Sequence, residues 1–439
     1  MTYDHQGRTG RRLTATVTDL DVAVQKAFLV GVQLPEHDAD DAERSLDELA
    51  LLTDTAGSEP VGMELVRRDA PDAAWYIGSG KAEELAAVTQ ALDVDVVVFD
   101  NPLSPAQQRN LQKRFECDVV DREALILDIF AQHASSREGA IQVELALLRY
   151  RLPRLRGLGM QLSRQGAGSG IANRGPGETK LETDRRRIET RISKLERQLT
   201  ALSKTRSTQR KARRRSEIPQ VAVVGYTNAG KSTLLNRLTA ADVLTEDRLF
   251  ATLDSTVRKA DLPDGRGILL SDTVGFIRRL PHNLVEAFRS TLEDTLEASL
   301  LLHLVDASDP DPEGQIEAVH IVLAEIGAQH MPEVIVFNKI DVADKAALGR
   351  LRNIYPDAAF ISAVTGDGVD DLLRTVAERL AAGSVVLRLH IPYTRSDLIA
   401  TAHRVGEVLA EKHEDTGTVL EVRVQAADVD SFAEFALPV

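Results

Sequence analysis

Apolar residues fall along this chain in short runs separated by amphipathic stretches, the pattern of strands buried on both faces alternating with helices. Runs at Ala27–Val32, Val61–Val66 and Asp95–Phe99 alternate with helical spacing such as Lys81–Leu92, which predicts a small α/β domain ending near Gln132. A second series, Gln220–Val224, Ile268–Ser271, Leu300–Val305, Val334–Phe337 and Ala359–Ile361, predicts a larger parallel sheet, with a helix beginning at Ser232–Leu238. Between the two series the period changes. Ile141, Leu145, Leu148 and Leu152 recur at i, i+4, i+7 and i+11, one apolar stripe of a helix. Ile188, Ile192, Leu195, Leu199 and Leu202 make a second stripe with a/d-like spacing. The two stripes predict a long antiparallel helical hairpin. After Gly383, Val385–Ile391 and Val419–Val424 read as strands flanking a helix near Asp397–Lys412. The predicted organisation is therefore a disordered tail over 1–20, an N-terminal α/β domain over 21–135, a helical hairpin over 136–217, an α/β nucleotide-binding domain over 218–383, and a small C-terminal α/β domain over 384–439.

Composition agrees with several cores. At about 150 residues per domain, 439 residues suggest three domains, give or take one, and 43% hydrophobic content is ample to fill them. The single cysteine, Cys117, sits in the strand-like Cys117–Val120, so a disulfide framework is excluded and a reducing cytoplasm is expected. No run of apolar residues is long enough to span a membrane. The ten histidines are scattered without metal-ligand spacing, and His303 reads as part of a core strand. Gly78-Ser-Gly-Lys81 hints at a phosphate site but lacks the remainder of such a loop, so a strand-to-helix turn is the better reading.

The most informative chemistry lies at residues 225–232. Gly225, Tyr226, Thr227, Asn228, Ala229, Gly230, Lys231 and Ser232 match Gly-x-x-x-x-Gly-Lys-Ser between a predicted strand and a predicted helix. In such a loop the main-chain N–H groups surround phosphates, the lysine reaches the β- and γ-oxygens, and the serine hydroxyl ligates Mg²⁺. Asn338-Lys339-Ile340-Asp341 follows 107 residues after Lys231, at the carboxyl end of a predicted strand. A carboxylate there can accept from N1–H and the 2-amino group of guanine, donors that adenine does not present in that arrangement. Ser362, Ala363 and Val364 would back the base with main-chain donors. Guanine is the expected base.

Asp272-Thr273-Val274-Gly275 completes the phosphate end, with Asp272 holding Mg²⁺ through water and the Gly275 N–H meeting the γ-phosphate. Within Leu249-Phe250-Ala251-Thr252-Leu253-Asp254, Thr252 is the candidate switch threonine for the Mg²⁺ shell, and spacing alone leaves Thr256 and Thr245 open. Lys231, Thr252 and Gly275 are thus the candidate catalytic residues, with Ser232 and Thr252 the metal ligands. Many regulatory GTPases carry glutamine after the glycine to orient the attacking water. Here Phe276 and Ile277 follow. Either the apolar side chain packs on the core, or catalysis relies on a partner or a reordered switch; the intact remainder of the site favours the second.

A net charge of −14 argues against RNA until its distribution is read. Between Arg151 and Arg215 there are 19 Lys and Arg against 5 Asp and Glu, a local charge of +14 in an otherwise acidic chain. Aromatic residues are absent from Leu152–Glu217, so phosphate contacts by Arg and Lys are expected and base stacking is not. Gly157–Gly177 holds seven glycines between the two stripes, with Arg164 and Arg174 inside. It reads as an RNA-probing loop pinned at both ends.

The runs Tyr226–Thr233, Leu249–Asp254, Asp272–Ile277 and Leu280–Leu292 resemble the HflX family of translational GTPases, as do Arg164-Gln165-Gly166 and Arg174–Arg187 upstream. The resemblance extends from about Val24 to Leu380, and the lengthened segment Ser169–Asn173 departs from it. It implies GTP and GDP as ligands on Gly225–Ser232, Phe250–Asp254, Asp272–Gly275, Asn338–Asp341 and Ser362–Val364, and Mg²⁺ as cofactor. It also implies the large ribosomal subunit as partner, met by rRNA contacts at Arg164, Arg174, Arg185, Arg186 and Arg187, and the splitting of stalled or idle ribosomes by a monomer. In related GTPases an asparagine at the position of Asn228 helps hold K⁺ against the phosphates; the competing reading is a loop cap formed by its side chain. A GTP-gated RNA-modification factor would need a catalytic centre elsewhere, and residues 384–439 contain no cysteine to supply one. A plain regulatory switch leaves the basic hairpin unexplained.

Overall fold

Two compact units make up the computed structural model. The structure describes residues 24–36, 38–155, 176–214, 218–239, 249–250, 256–279, 284, 295–381, 384–425, 429 and 431–437. The first unit gathers the chain up to Ala201 together with two short segments from later in the sequence, 246–254 and 278–288. Its sheet is all parallel. Strands β1 (Lys26–Gln33), β2 (Glu59–Arg67), β3 (Val96–Phe99) and β4 (Asp118–Asp121) lie in the order β2-β1-β3-β4. Val96–Phe99 is buried along its whole length, as expected of a strand covered on both faces. The connecting helices are α1 (Ala39–Thr55), α2 (Ser79–Ala91), α3 (Pro105–Phe115) and α4 (Arg122–His133). Helix α3 starts on a capping box, Ser104 with Gln107, followed by a proline at its first turn. Gly78 is the residue before α2 and Ser79–Lys81 form the first turn of that helix, well past the end of β2 at Arg67; Lys81 is bonded to Glu64 and Glu84 at 2.8 Å each.

The two apolar stripes become α5 (Arg137–Arg154) and α6 (Pro176–Arg214). Ile141, Leu145 and Leu195 are buried, and Ile188, Ile192 and Leu199 are half-buried. Arg191 to Glu144 and Arg149 to Glu196 tie the two helices together at 2.7 and 2.8 Å. Gly157–Gly175, with Arg164 and Arg174, lies outside the described residues, as do the tail over 1–20, Thr245, and the switch residues Ala251, Thr252, Leu253 and Asp254.

The second unit contains a six-stranded sheet in the order β10-β9-β8-β5-β7-β6. Its strands are β5 (Gln220–Gly225), β6 (Val257–Asp261), β7 (Gly267–Asp272), β8 (Leu300–Asp306), β9 (Glu333–Asn338) and β10 (Ala359–Phe360). All pairings are parallel except the edge pair of β6 with β7. Helices α7 (Lys231–Thr239), α8 (Pro312–Ile326), α9 (Lys345–Ile354) and α10 (Val369–Ala381) connect them. The chain leaves β5 toward β7 on one side and returns to β8 on the other. The carboxyl end of β5 is therefore the topological switch point, where open sheets of this kind bind ligands.

The C-terminal part is an antiparallel sheet in the order β11-β13-β12, from β11 (Ser384–Pro392), β12 (Gly406–Glu414) and β13 (Gly417–Gln425), with α11 (Ser396–Val405) packed on it. This corrects the helix expected near Asp397–Lys412: it ends at Val405, and Gly406–Glu414 is a strand paired with β13. Glu411-Lys412-His413-Glu414 reads as helical because it is charged, but a charged run also suits an edge strand.

Candidate nucleotide-binding site

Strand β5 delivers its last residue, Gly225, so close to β8 that a Cβ there would stand 2.2 Å from the Leu304 carbonyl oxygen. The loop that follows turns back through Asn228 at φ 58° and Gly230 at φ 92° before α7 begins. Lys231 opens that helix and is buried. Its ammonium donates to the main-chain oxygens of Gly225 at 3.1 Å and Tyr226 at 2.7 Å, curling back over its own loop. Burial pushes this amine down to about 8, against the opposing pull of Asp272. The Ser232 hydroxyl donates to Asp272 Oδ2 at 3.0 Å, and Thr273 N–H donates to Asp272 Oδ1 at 2.9 Å. A hydroxyl and a carboxylate this close, at the mouth of a loop of main-chain donors, are a donor set suited to a hard divalent cation beside a phosphate.

The turn after β7 locks onto this loop. Thr227 N–H donates to the Phe276 oxygen at 2.7 Å and Phe276 N–H to the Gly225 oxygen at 3.2 Å. Gly275 has no room for a side chain, because a Cβ would fall 2.8 Å from Thr227 Cγ2 and 3.1 Å from Lys231 Nζ. Phe276 itself is 1% exposed. The packing reading of that residue is therefore correct for its side chain, which cannot order water from inside the core. Val274 and Thr273 are buried too, the latter donating from its hydroxyl to the Val223 oxygen at 2.8 Å.

Asn338 joins the phosphate end to the base end. Its Nδ2 donates to the Ala229 oxygen at 2.8 Å, and its Oδ1 accepts from Ala363 N–H at 2.8 Å. Lys339 adopts φ 64°, and its ammonium is 2.7 Å from Asp306 at the end of β8. Ile340 N–H donates to the Ile361 oxygen at 3.2 Å, which leaves Asp341 exposed at the rim. Ser362 is fully buried, and its hydroxyl accepts from Thr365 N–H at 3.1 Å. Val364 is largely exposed. The structure thus brings together Gly225–Ser232, Asp272–Gly275, Asn338–Asp341 and Ser362–Val364.

Two supporting residues escaped the sequence reading. Arg237 on α7 donates to the Ala363 oxygen at 2.6 Å and to the Val364 oxygen, so it holds the loop expected to back the base. Asp306 positions Lys339. Arg237 carries no local signal, because its partners lie more than a hundred residues away; Asp306 at a strand's carboxyl end is a place worth testing. Phe250, expected at the nucleotide, has its ring buried edge-on to Phe130 at 4.7 Å in the first unit. Of the basic candidates, Arg185 pairs with Glu189 at 2.8 Å and Arg187 with Asp184 at 3.4 Å, while Arg186 is exposed on α6.

A Gly-x-x-x-x-Gly-Lys-Ser loop at the switch point of a parallel sheet, joined through one asparagine to an Asn-Lys-x-Asp segment, defines a P-loop protein of the guanine-nucleotide-binding class. Comparison with known sequences narrows the class. Family models described as GTP-binding GTPase N-terminal, GTP-binding GTPase middle region and 50S ribosome-binding GTPase match residues 43–131, 133–213 and 220–339. The chain is 46% identical over 400 residues to the GTPase HflX of Caldanaerobacter subterraneus, covering 91% of each, and 42% identical over 409 residues to that of Escherichia coli, covering 92% of this chain and 95% of the relative. The chain belongs to the HflX family of GTPases. Among solved structures, a GTP-binding protein from Sulfolobus solfataricus in complex with GDP aligns at a TM-score of 0.41 and 22% identity, over 82% of this chain and 99% of that one. No described helix is long and apolar enough to cross a membrane.

Proposed function

We propose that this chain is a ribosome-acting GTPase that binds the large ribosomal subunit, helps to dissociate stalled or idle ribosomes, and is reset by GTP hydrolysis. The observation that carries this reading is the +14 run between Arg151 and Arg215, on and beside α5 and α6, in the same chain as a guanine-nucleotide site. The match of residues 220–339 to a family model described as a 50S ribosome-binding GTPase supports it.

In the proposed cycle Lys231 exchanges the Gly225 and Tyr226 carbonyls for β- and γ-phosphate oxygens. Ser232 and Thr252 are the proposed Mg²⁺ ligands, with Asp272 acting through water. When bound, the cation neutralises charge developing between the β- and γ-phosphates. The Gly275 N–H would sense the γ-phosphate and Asp341 would read guanine. With Phe276 buried, no side chain at that position orders the attacking water, so turnover alone should be slow, about 10⁻⁴–10⁻² s⁻¹ as in unassisted switch GTPases. The large subunit would complete the site. K⁺ near Asn228 is a further proposed element: the side chain is exposed and, among the described residues, makes no hydrogen bond to the loop, which favours the cation reading over the capping one. The protein is expected to act as a monomer in the cytoplasm.

Co-sedimentation with separated ribosomal subunits in GTP-analogue, GDP and nucleotide-free states tests the reading. Binding to the large subunit that is strongest with the GTP analogue is expected, weakened when Arg185, Arg186 and Arg187 are neutralised and impaired in action when Gly157–Gly177 is deleted. Equal pelleting with either subunit, indifferent to nucleotide, would refute it.

A further inference from the structure

We propose that His303, His320 and Glu333 form a binding site for one divalent transition-metal ion of the zinc class, on the face of the nucleotide-binding sheet. His303 lies in the middle of β8, Glu333 opens β9, and His320 projects from α8, so three elements far apart in sequence converge. Their potential ligand atoms all lie within 4.8 Å of one another. His303 Nδ1 is 2.6 Å from Glu333 Oε1, and His320 Nε2 is 3.0 Å from Glu333 Oε2 and 3.1 Å from Oε1. The two imidazoles meet edge to face, with centroids 5.4 Å apart, which leaves both facing nitrogens on the carboxylate.

The burial is graded from core to surface. His303 is fully buried, Glu333 is 23% exposed and His320 47% exposed, so an ion would be anchored from below and reachable from solvent. Two histidines and one glutamate are the ligand set of open zinc sites, where water takes the fourth position. Two imidazoles disfavour Mg²⁺ and Ca²⁺, which prefer oxygen ligands throughout. A packing role explains His303 poorly. Its Nε2 is buried without a hydrogen-bond partner, and an unmet polar atom in the core costs free energy whichever ring nitrogen carries the proton. An apolar residue would fill that strand position without the penalty, so the other nitrogen, aimed at Glu333, is the feature that needs the imidazole. The ion would pin α8 to β8 and β9, and β9 ends at Asn338, which joins the phosphate loop to the base loop. The inference is independent of the ribosomal reading.

The test is equilibrium dialysis of full-length protein loaded with Mg·GDP against Zn²⁺, with zinc measured per chain. A Co²⁺-substituted sample gives a visible spectrum that reports low-coordinate nitrogen and oxygen ligation. We expect one tightly held zinc per chain. His320→Gln, at a half-exposed position that the core does not depend on, should weaken binding by at least about tenfold, the usual scale for disturbing a zinc shell. Glu333→Gln should do likewise with the imidazoles left in place. Failure of the wild-type protein to retain zinc overturns the proposal. So does retention of one zinc by both variants with unchanged affinity and an unchanged Co²⁺ spectrum, since the ion would then be held elsewhere.

Discussion

Gly230→Ala probes the junction on which the nucleotide site depends. Gly230 sits at φ 92°, and a Cβ added there would lie 2.2 Å from Asn338 Nδ2. Two costs follow. Holding alanine at positive φ takes roughly 1–2 kcal/mol. Pushing the Asn338 amide aside removes its bonds to the Ala229 oxygen and Ala363 N–H, each worth about 1 kcal/mol when buried. The variant should therefore lose about 3–4 kcal/mol of site integrity, a GDP affinity lowered by more than about a hundredfold at 1.4 kcal/mol per decade. Asn338→Ala alone forfeits the two bonds without the backbone cost. In the double variant the clash has no partner left, so its loss should match that of Gly230→Ala and fall short of the summed single losses by about 2 kcal/mol. Any direct contact of Asn338 with guanine that the displacement also breaks would enlarge this shortfall. Dissociation constants for a fluorescent GDP analogue, measured on all four proteins, give the coupling. Strict additivity would show that Gly230 and Asn338 act separately and would refute the junction.

Other perturbations read other parts of the site. Asp341→Asn should weaken GTP binding strongly and favour xanthine nucleotides, because the acceptor pattern inverts; unchanged GTP affinity in a competition assay would remove guanine from the reading. Asp100→Ala should destabilise the protein by roughly 3–5 kcal/mol in urea denaturation, because it removes one of the two carboxylates that compensate the buried Arg122 guanidinium, whose Nη1 is 2.7 Å from Asp100. A change below about 1 kcal/mol would mean that Glu48 alone suffices for that cation. GTP hydrolysis should be faster in KCl than in NaCl at equal ionic strength, and Asn228→Ala should erase the difference while sparing GDP affinity. Identical rates in the two salts would dismiss the potassium ion.

Strands buried on both faces were legible because mostly apolar side chains survive there, and each of the runs at Asp95–Phe99, Gln220–Val224, Leu300–Val305 and Val334–Phe337 became one. The strands that escaped were both charged edges. Val257–Asp261, carrying Arg258, Lys259 and Asp261, pairs on one side only, and Gly406–Glu414 does the same. An edge strand keeps polar residues to resist pairing with other chains, which removes the very signal by which strands are read. In the site, the residues expected at phosphate and base sit in compact motifs, which is why spacing along the chain could propose them. Arg237, Asp306 and the His303–His320–Glu333 cluster depend on contacts between distant elements, and spacing along the chain is blind to those.

The N-terminal sheet has a switch point of its own, and its chemistry argues against a second nucleotide there. In the order β2-β1-β3-β4 the strand order reverses at β1, so the carboxyl ends of β1 and β3 are where such a sheet would take a ligand. The Asn101 side chain already occupies the end of β1, accepting from Val32 N–H at 2.8 Å and donating to the Val32 oxygen at 3.3 Å. Beside it stands buried Asp100, which accepts from Ser45 at 2.7 Å and pairs with Arg122. The remaining guanidiniums come from the chain itself: Arg279 reaches Asp100 at 3.4 Å and Asp41 at 2.7 Å, and Arg278 reaches Asp41 at 2.8 Å. Burial works to raise the Asp41 carboxyl, and the guanidiniums of Arg279 and then Arg278 overcome it, holding the group below the usual carboxylate range. A crevice lined by carboxylates repels phosphate and accepts arginine. Arg279 takes φ 51° to fit, a backbone state that persists only where surrounding contacts enforce it, and its two ion pairs do so. Arg278 and Arg279 follow Gly275 by three and four residues. Arg278 and Arg279 are therefore themselves the partners of these carboxylates, which explains why a domain with an open parallel sheet carries acids where a nucleotide-binding one would carry glycines.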